Sequence, residues 1–431
     1  MTTTTERHKP LALVALIIAG EAVFSLPFHI VRFFRPTFLD VFQVSNLEIG
    51  QAQGTYGVIA MACYFLGGPL ADRFDARHLL LASLLATAAG GLVLAQIPGP
   101  GSLQLLYGFW GCSTILLFWS ALIKATRVWG GQTEQGRAFG LLEAGRGAFA
   151  ALLASTAAFG LGVLLPDDPA ALDPAHQRAA LQGIIYLYTG ATAIAAVLVW
   201  LWVPTTRGSG PMAITATPAS GRIRAVLGNR MIWPQVVIVV SAYVSYKGVD
   251  NYVLYAVQGY GLSEAEGAGI AASSAWLRPL SAIAAGFLAD RIRPSRVVLG
   301  SFGILLAGYA LFAVLVPGPD LYWVLVANIV FTSVAVYALR AIYFALLAES
   351  RMLLGITGTA IGIISVIGFT PDIFFAPAMG WALENHDPVT GHQFVFSGLL
   401  ALACLGFASS LFFIYGLRER GQDCRHRRSQ V

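Results

Sequence analysis

Ten ionisable residues interrupt otherwise apolar stretches of this chain, and their types define the chemistry open to it. Arg32, Arg35, Arg146, Lys247, Arg278 and Arg340 are basic; Glu21, Glu143, Asp250 and Asp372 are acidic. A charged side chain at the centre of a membrane helix costs about 2.5–3.5 kcal/mol on insertion scales, so each must face water or a partner. The basic residues outnumber the acidic ones by two, and an electropositive interior is expected. Guanidinium groups grip a carboxylate, sulfonate or phosphonate through paired N–H bonds, while aromatic rings cover its carbon skeleton. Buried carboxylates can bind and release protons as cations approach or withdraw. This is binding and coupling chemistry in which no bond is made or broken. The chain contains no Gly-x-Ser-x-Gly, no His-Glu-x-x-His and no phosphate loop. Its four cysteines and seven histidines lack metal-ligand spacing. No catalytic residue, metal or cofactor is expected.

Local spacing sorts these residues into patches. Glu21, Ser25, Phe28 and Arg32 recur at intervals of four, three and four and so share one helical stripe, with His29 beside it as an imidazole packed and bonded to a neighbour. Tyr243, Tyr246, Lys247 and Asp250 form a second patch, in which Lys247 and Asp250 can touch. A third, Tyr337, Arg340, Tyr343 and Phe344, places aromatic residues around a guanidinium. Glu143 stands three residues before Arg146 and either joins a structural cluster, meeting Lys124 or Arg127, or takes part in coupling. Arg35 precedes Pro36 and can snorkel to the headgroups. The expected substrate-binding set is Arg32, Lys247, Arg278 and Arg340 with Tyr243, Tyr246, Tyr337 and His29. The expected proton-coupling set is Asp250, Asp372, Glu143 and Glu21.

The elements that carry these residues are membrane helices. Of 431 residues, 57% are hydrophobic and only 11% charged, with mean hydropathy +0.70, well outside the range of soluble domains. Lipid offers the backbone no hydrogen-bond partners, so apolar spans of roughly 20 residues must be helical. Twelve are expected: α1 (11–38), α2 (48–72), α3 (77–96), α4 (103–127), α5 (137–165), α6 (181–203), α7 (232–258), α8 (264–289), α9 (296–316), α10 (321–348), α11 (352–383) and α12 (393–417). The predicted organisation is an N-terminal six-helix bundle over 1–203, a linker over 204–231, a second six-helix bundle over 232–418 and a basic tail over 419–431. With both termini inside, 20 of the 27 Lys and Arg fall on the cytoplasmic side, which sets the orientation by the positive-inside rule. The first apolar run exceeds a signal-peptide core and contains Glu21 and Arg32, so no cleaved signal is read. The net charge of +5 needs no nucleic acid to account for it. Arg222 to Asn229 reads as a short amphipathic turn at the membrane surface.

One phrase occurs twice. Gly68-Pro69-Leu70-Ala71-Asp72-Arg73 returns 218 positions later as Gly286-Phe287-Leu288-Ala289-Asp290-Arg291, followed by Arg77 in one copy and Arg296 in the other. Upstream, Ser45 with Glu48 and Ser263 with Glu266 keep the same offset, each a Ser-x-x-Glu box that opens a helix. Two homologous halves make one chain. This doubled motif, in twelve spans with a polar central linker, resembles the major facilitator superfamily along the whole length. That resemblance implies an all-α membrane protein, two six-helix bundles related by a pseudo-two-fold axis, a central cavity and alternating access. It also implies that Asp72, Arg73, Arg77, Asp290 and Arg291 belong to a gating latch on the cytoplasmic side. Phe28 to Phe34 is similar to the first helix of the organophosphate:phosphate antiporter branch, where arginines of α1 and α7 bind phosphate together. Arg32 matches the first of them, whereas α7 offers Lys247 in another register, beside Asp250.

The expected function is secondary active transport of a small organic anion, of carboxylate, sulfonate or phosphonate type, by proton symport or by exchange for a counter-anion. The expected setting is a monomer in the lipid bilayer of a bacterial inner membrane. Efflux of lipophilic, drug-like compounds and transport of a zwitterion such as an amino acid are the alternatives. The first needs an acidic or apolar cavity, and Asp250 favours a substrate that also bears a donor.

Overall fold

The computed structural model describes residues 9–130, 135–164, 173–205, 219–350 and 354–428. The centre of the predicted linker, the side chain of Asp72 and the side chains of the basic tail lie outside the described residues. Ten helices are long and apolar enough to cross a membrane: α1 Lys9–Phe33, α2 Asn46–Ala71, α3 Ala76–Leu94, α4 Pro100–Gly130, α5 Ala138–Leu164, α6 Pro174–Trp202, α9 Pro294–Val314, α10 Pro319–Ile342, α11 Ala360–Glu384 and α12 Pro388–Leu417. The remaining two passages, α7 (232–260) and α8 (264–292), are helical but broken in the middle, and with them the described helices fit the expected twelve. The breaks have local causes. In α8, Pro279 lacks the N–H that would bond the carbonyl of Ala275, and the helix is interrupted at Trp276. In α7, a 3₁₀ turn over Val249–Asn251 follows Gly248. In α1, Pro27 lies within a π-helical turn, Ser25–His29; in α11, the helix pauses at Phe369–Thr370, ahead of Pro371. The short surface helix expected near Arg222 is present as Ala219–Leu227, with Val226 buried.

Val226 to Phe413 form an apolar core in the second half and Ala15 to Val203 one in the first, while a third cluster runs across the boundary from α1, α2 and α4–α6 to Val253 of α7 and Ala268, Ala271, Ala272 and Ala275 of α8. Both predicted capping boxes form. Ser45 Oγ accepts from the Glu48 amide at 3.1 Å while the Ser45 amide donates to Glu48 at 2.8 Å, and Ser263 with Glu266 repeats this at 3.2 and 2.9 Å.

The halves meet through α2 against α11 and α5 against α8. Along α2 the contact is backbone on backbone: a Cβ on Gly57 would lie 2.4 Å from the Asp372 carbonyl oxygen, and one on Gly380 would lie 2.3 Å from that of Asn46. Side chains tie the same end. Glu384 of α11 accepts from the Leu47 amide at 3.1 Å. Glu264 of α8 accepts from the Thr37 hydroxyl and from Gln177 Nε2, the latter at 3.0 Å. The end of the molecule that carries the capping boxes is therefore closed. Replacing Gly57 with valine puts methyl groups where a carbonyl already sits, and overpacking of this kind costs about 1–3 kcal/mol. Gly57→Val is expected to part the halves at this end, seen as a longer distance between spin labels at Asp40 and Asp387; an unchanged distance would show that the α2–α11 contact does not hold the end shut.

At the opposite end, where the repeated motif lies, Arg73, Asp290 and Arg291 are exposed. Asp75 accepts from the Arg77 amide at 2.9 Å as the N-cap of α3, and the Arg77 guanidinium lies 4.4 Å from the Trp200 ring centroid. Lys124 Nζ donates to the Ala71 carbonyl at 2.6 Å. In the second half, Glu349 accepts from the amide and hydroxyl of Ser295 at 2.9 and 2.8 Å, capping α9. All of these bonds join residues of one half. Arg293, in the turn before Pro294, has φ +92°, a region that favours glycine. Arg293→Gly is expected to raise stability by about 1 kcal/mol; a lower melting temperature would contradict strain at that turn.

Candidate functional site

The broken segments of α1 and α7 face each other across the boundary between the halves. Residues at equivalent repeat positions meet there. Arg32 and Asp250, 218 apart, form a buried ion pair through the guanidinium Nε, and Arg32 Nη1 donates to the Tyr246 hydroxyl at 2.8 Å. Phe28 and Tyr246, again equivalent, each cover a cation from the other half: Tyr246 lies 4.5 Å from the Arg32 guanidinium, and Phe28 lies 4.4 Å from Lys247 Nζ. Lys247 is 3.3 Å from Asp372 of α11 and 3.8 Å from Asp250. Asp372 also accepts from the Tyr243 hydroxyl, at 2.9 and 3.0 Å to its two oxygens. Above this layer, Arg340 of α10 stacks on Tyr246 at 3.8 Å and lies 5.9 Å from Tyr243. Tyr337 is buried within electrostatic range of Arg32.

A second cluster adjoins the first. Glu21 of α1 is approached by Arg278 at 2.8 Å, Arg146 at 3.1 Å and His29 Nε2 at 3.3 Å. Glu143 lies 2.6 Å from Arg146 and 3.6 Å from Arg278, with its side chain 49% exposed. Arg278 comes from α8 and the acids from α1 and α5, so this cluster also bridges the halves. His29 sits edge-on to Phe33 and Tyr188, the packed imidazole expected from the sequence.

The predicted residues converge, but the field they make differs from the expected one. Arg32, Lys247 and Arg278 each already hold a carboxylate. Only Arg340, of the four expected anion ligands, has no carboxylate within ion-pair distance among the described residues. Five cations and four carboxylates leave this assembly one positive charge in surplus. Three further expectations are corrected. Glu143 pairs with Arg146 and Arg278, not with Lys124, which caps the end of α2. The aromatic faces on Arg340 come from α7, while Tyr343 and Phe344 pack on each other at 4.6 Å. Arg35 does not snorkel; it is fully buried. Sequence reading missed the contact of Phe369 with Tyr243, centroids 4.8 Å apart, and the closing bonds of Glu264 and Glu384. The capping-box and offset signals pointed at that end without naming its acids.

Residues 16–351 match the family model for the Major Facilitator Superfamily. The chain belongs to the major facilitator superfamily. It is thus a multi-pass membrane transporter and not an enzyme. Among its relatives, the inner membrane protein YqcE of Escherichia coli K12 is 27% identical over 391 residues, 88% of each chain. The inner membrane protein YihN of the same organism is 24% identical, over 96% of this chain and 98% of its own. Among solved members of the fold, a bacterial homologue of the human lysosomal transporter Spinster, inward-facing and unoccupied, superposes with TM-score 0.73 at 13% identity, covering 95% of this chain and 97% of its own. An aspartate-to-alanine mutant of the nucleoside transporter NupG gives 0.72 at 15% identity, covering 94% and 99%. At such identities the superfamily fold is shared and nothing more is implied about cargo.

Proposed function

We propose that this superfamily member carries a small organic anion across the bacterial inner membrane by alternating access, with protons or a counter-anion as the coupling species. The observation that carries the reading is Arg340: a guanidinium stacked on the Tyr246 face with Tyr243 alongside, lacking a carboxylate among the described residues, in an assembly with a positive surplus. The acid group of the substrate binds Arg340 bidentately while Tyr243 and Tyr246 pack on its skeleton. It then competes with Asp250 and Asp372 for Arg32 and Lys247. As Lys247 turns toward the substrate it gives up Asp372, which keeps the Tyr243 hydroxyl, and this exchange of partners links substrate binding to the boundary carboxylates.

Closure at the capping-box end, with the basic motif end assigned to the cytoplasm by the positive-inside rule, supports an inward-facing state. Outward opening would need the α2–α11 and Glu264 contacts to part. A zwitterionic substrate is the second reading, favoured by Asp372, which could accept an ammonium group within reach of the same tyrosines. Export of lipophilic cations is disfavoured by the positive surplus.

Thermal-shift screening of the purified protein against small anions, zwitterions and cations tests this reading, followed by uptake of the best ligand into liposomes with and without a pH gradient. Stabilisation by anions is the expected result. Stabilisation by cations alone would overturn it, and stabilisation only by molecules bearing both charges would transfer the site to zwitterions.

A further inference from the structure

Arg35 opens the short helix Arg35–Phe42, just past the end of α1, and is 0% exposed. Its Nε donates to Asn46 Oδ1 at 2.9 Å, but Nη1 and Nη2 have no hydrogen-bond partner among the described residues. Guanidinium groups stay charged throughout the accessible pH range, and burying one without compensation costs several kcal/mol. The carboxylate within its electrostatic range is Asp250, which Arg32 and Lys247 already share. A second buried polar side chain lies in this region: Gln53 is 2% exposed, with its amide set against Tyr107. Tyr107 links the two, lying within electrostatic range of Arg35 and beside Gln53. Phe34, at the N-cap of the short helix, supplies no capping side chain, so the positive end of that helix is directed here as well.

We propose that Arg35 is the centre of a second anion site, separate from Arg340, which takes a compact monoanion, either a halide or a carboxylate group. The two free NH2 groups of the Arg35 guanidinium and the side-chain amide of Gln53 are its donors. The site's neighbours tie it to the closed end: Asn46, held by Arg35, is the residue whose carbonyl abuts Gly380, and Thr37, two residues on, holds Glu264. An anion at Arg35 therefore stabilises the state in which the capping-box end is shut. This does not depend on the transported substrate being an anion.

The test is thermal unfolding of the purified full-length protein at constant ionic strength, with the bulky sulfonate MES as reference ion and chloride, bromide or acetate titrated against it. In the Arg340→Gln background, which lacks the proposed substrate ligand, the melting temperature is expected to rise saturably, and Arg35→Gln added to it is expected to abolish the response. A halide response identifies a free inorganic anion as the occupant; a response to acetate alone identifies the acid group of an organic ligand. Should Arg35→Gln not fold, Gln53→Leu is expected to raise the half-saturating concentration about tenfold, the effect of one lost hydrogen bond of roughly 1.4 kcal/mol. An indifferent Arg340→Gln protein, a response retained when Arg35→Gln is added to it, or half-saturation unchanged when Gln53→Leu is added to it would each overturn the proposal.

Discussion

Arg340→Gln is expected to abolish uptake while leaving the protein folded in the membrane. Glutamine keeps a shorter, polar side chain but loses the charge and the bidentate donor pair. Removing one partner of a buried charged contact costs about 2–5 kcal/mol, which at the midpoint weakens substrate affinity a few hundredfold. The variant also lacks a carboxylate to orphan, since Arg340 rests on the faces of Tyr246 and Tyr243. Its melting temperature should therefore stay close to that of the wild type. Transport at the wild-type rate would remove Arg340 from the site, and a collapse in stability equal to the loss of uptake would reduce it to a packing residue.

Asp250→Asn is expected to destabilise the protein by about 3–5 kcal/mol, the cost of leaving the buried Arg32 charge without its carboxylate, and Arg32→Gln by less, since Lys247 stays 3.8 Å from Asp250. The exchanged double variant, Arg32→Asp with Asp250→Arg, should recover a large part of the loss. The two positions are equivalent in the duplicated halves and lie opposite one another at the boundary, so the reversed pair finds a comparable setting. Recovery of stability without recovery of transport would place the pair in the binding step. No recovery would mean that Lys247 and Tyr246, which are not exchanged, dominate the setting of these charges.

The contrast between Arg35 and Arg340 shows what was legible beforehand. Both lie in apolar helices with an aromatic residue or a proline nearby, and both were read as basic residues in need of water or an acid. The expected snorkelling of Arg35 fails because the path of α1 breaks at Phe34 and the short helix after it leaves Arg35 buried. A helical count assumes one straight axis. The prolines at 27, 279 and 371 announced bends, and bends are where such a count stops predicting which way a side chain points.

Composition, hydropathy and the repeat at a spacing of 218 settled the membrane class, the helical fold, the duplicated halves and their capped helix starts, because these depend on local sequence and on what lipid requires of a backbone. They also selected the charged residues that gather at the boundary, since each is too costly to leave in hydrocarbon. Tertiary structure alone decided the pairing: that Asp250 faces Arg32, that Glu21 gathers Arg146, Arg278 and His29, and that Arg340 and Arg35 are left without an acid of their own. Electrostatic partnership is a matter of a few ångströms between different helices, and that distance is set by how the two halves pack, not by any interval along the chain.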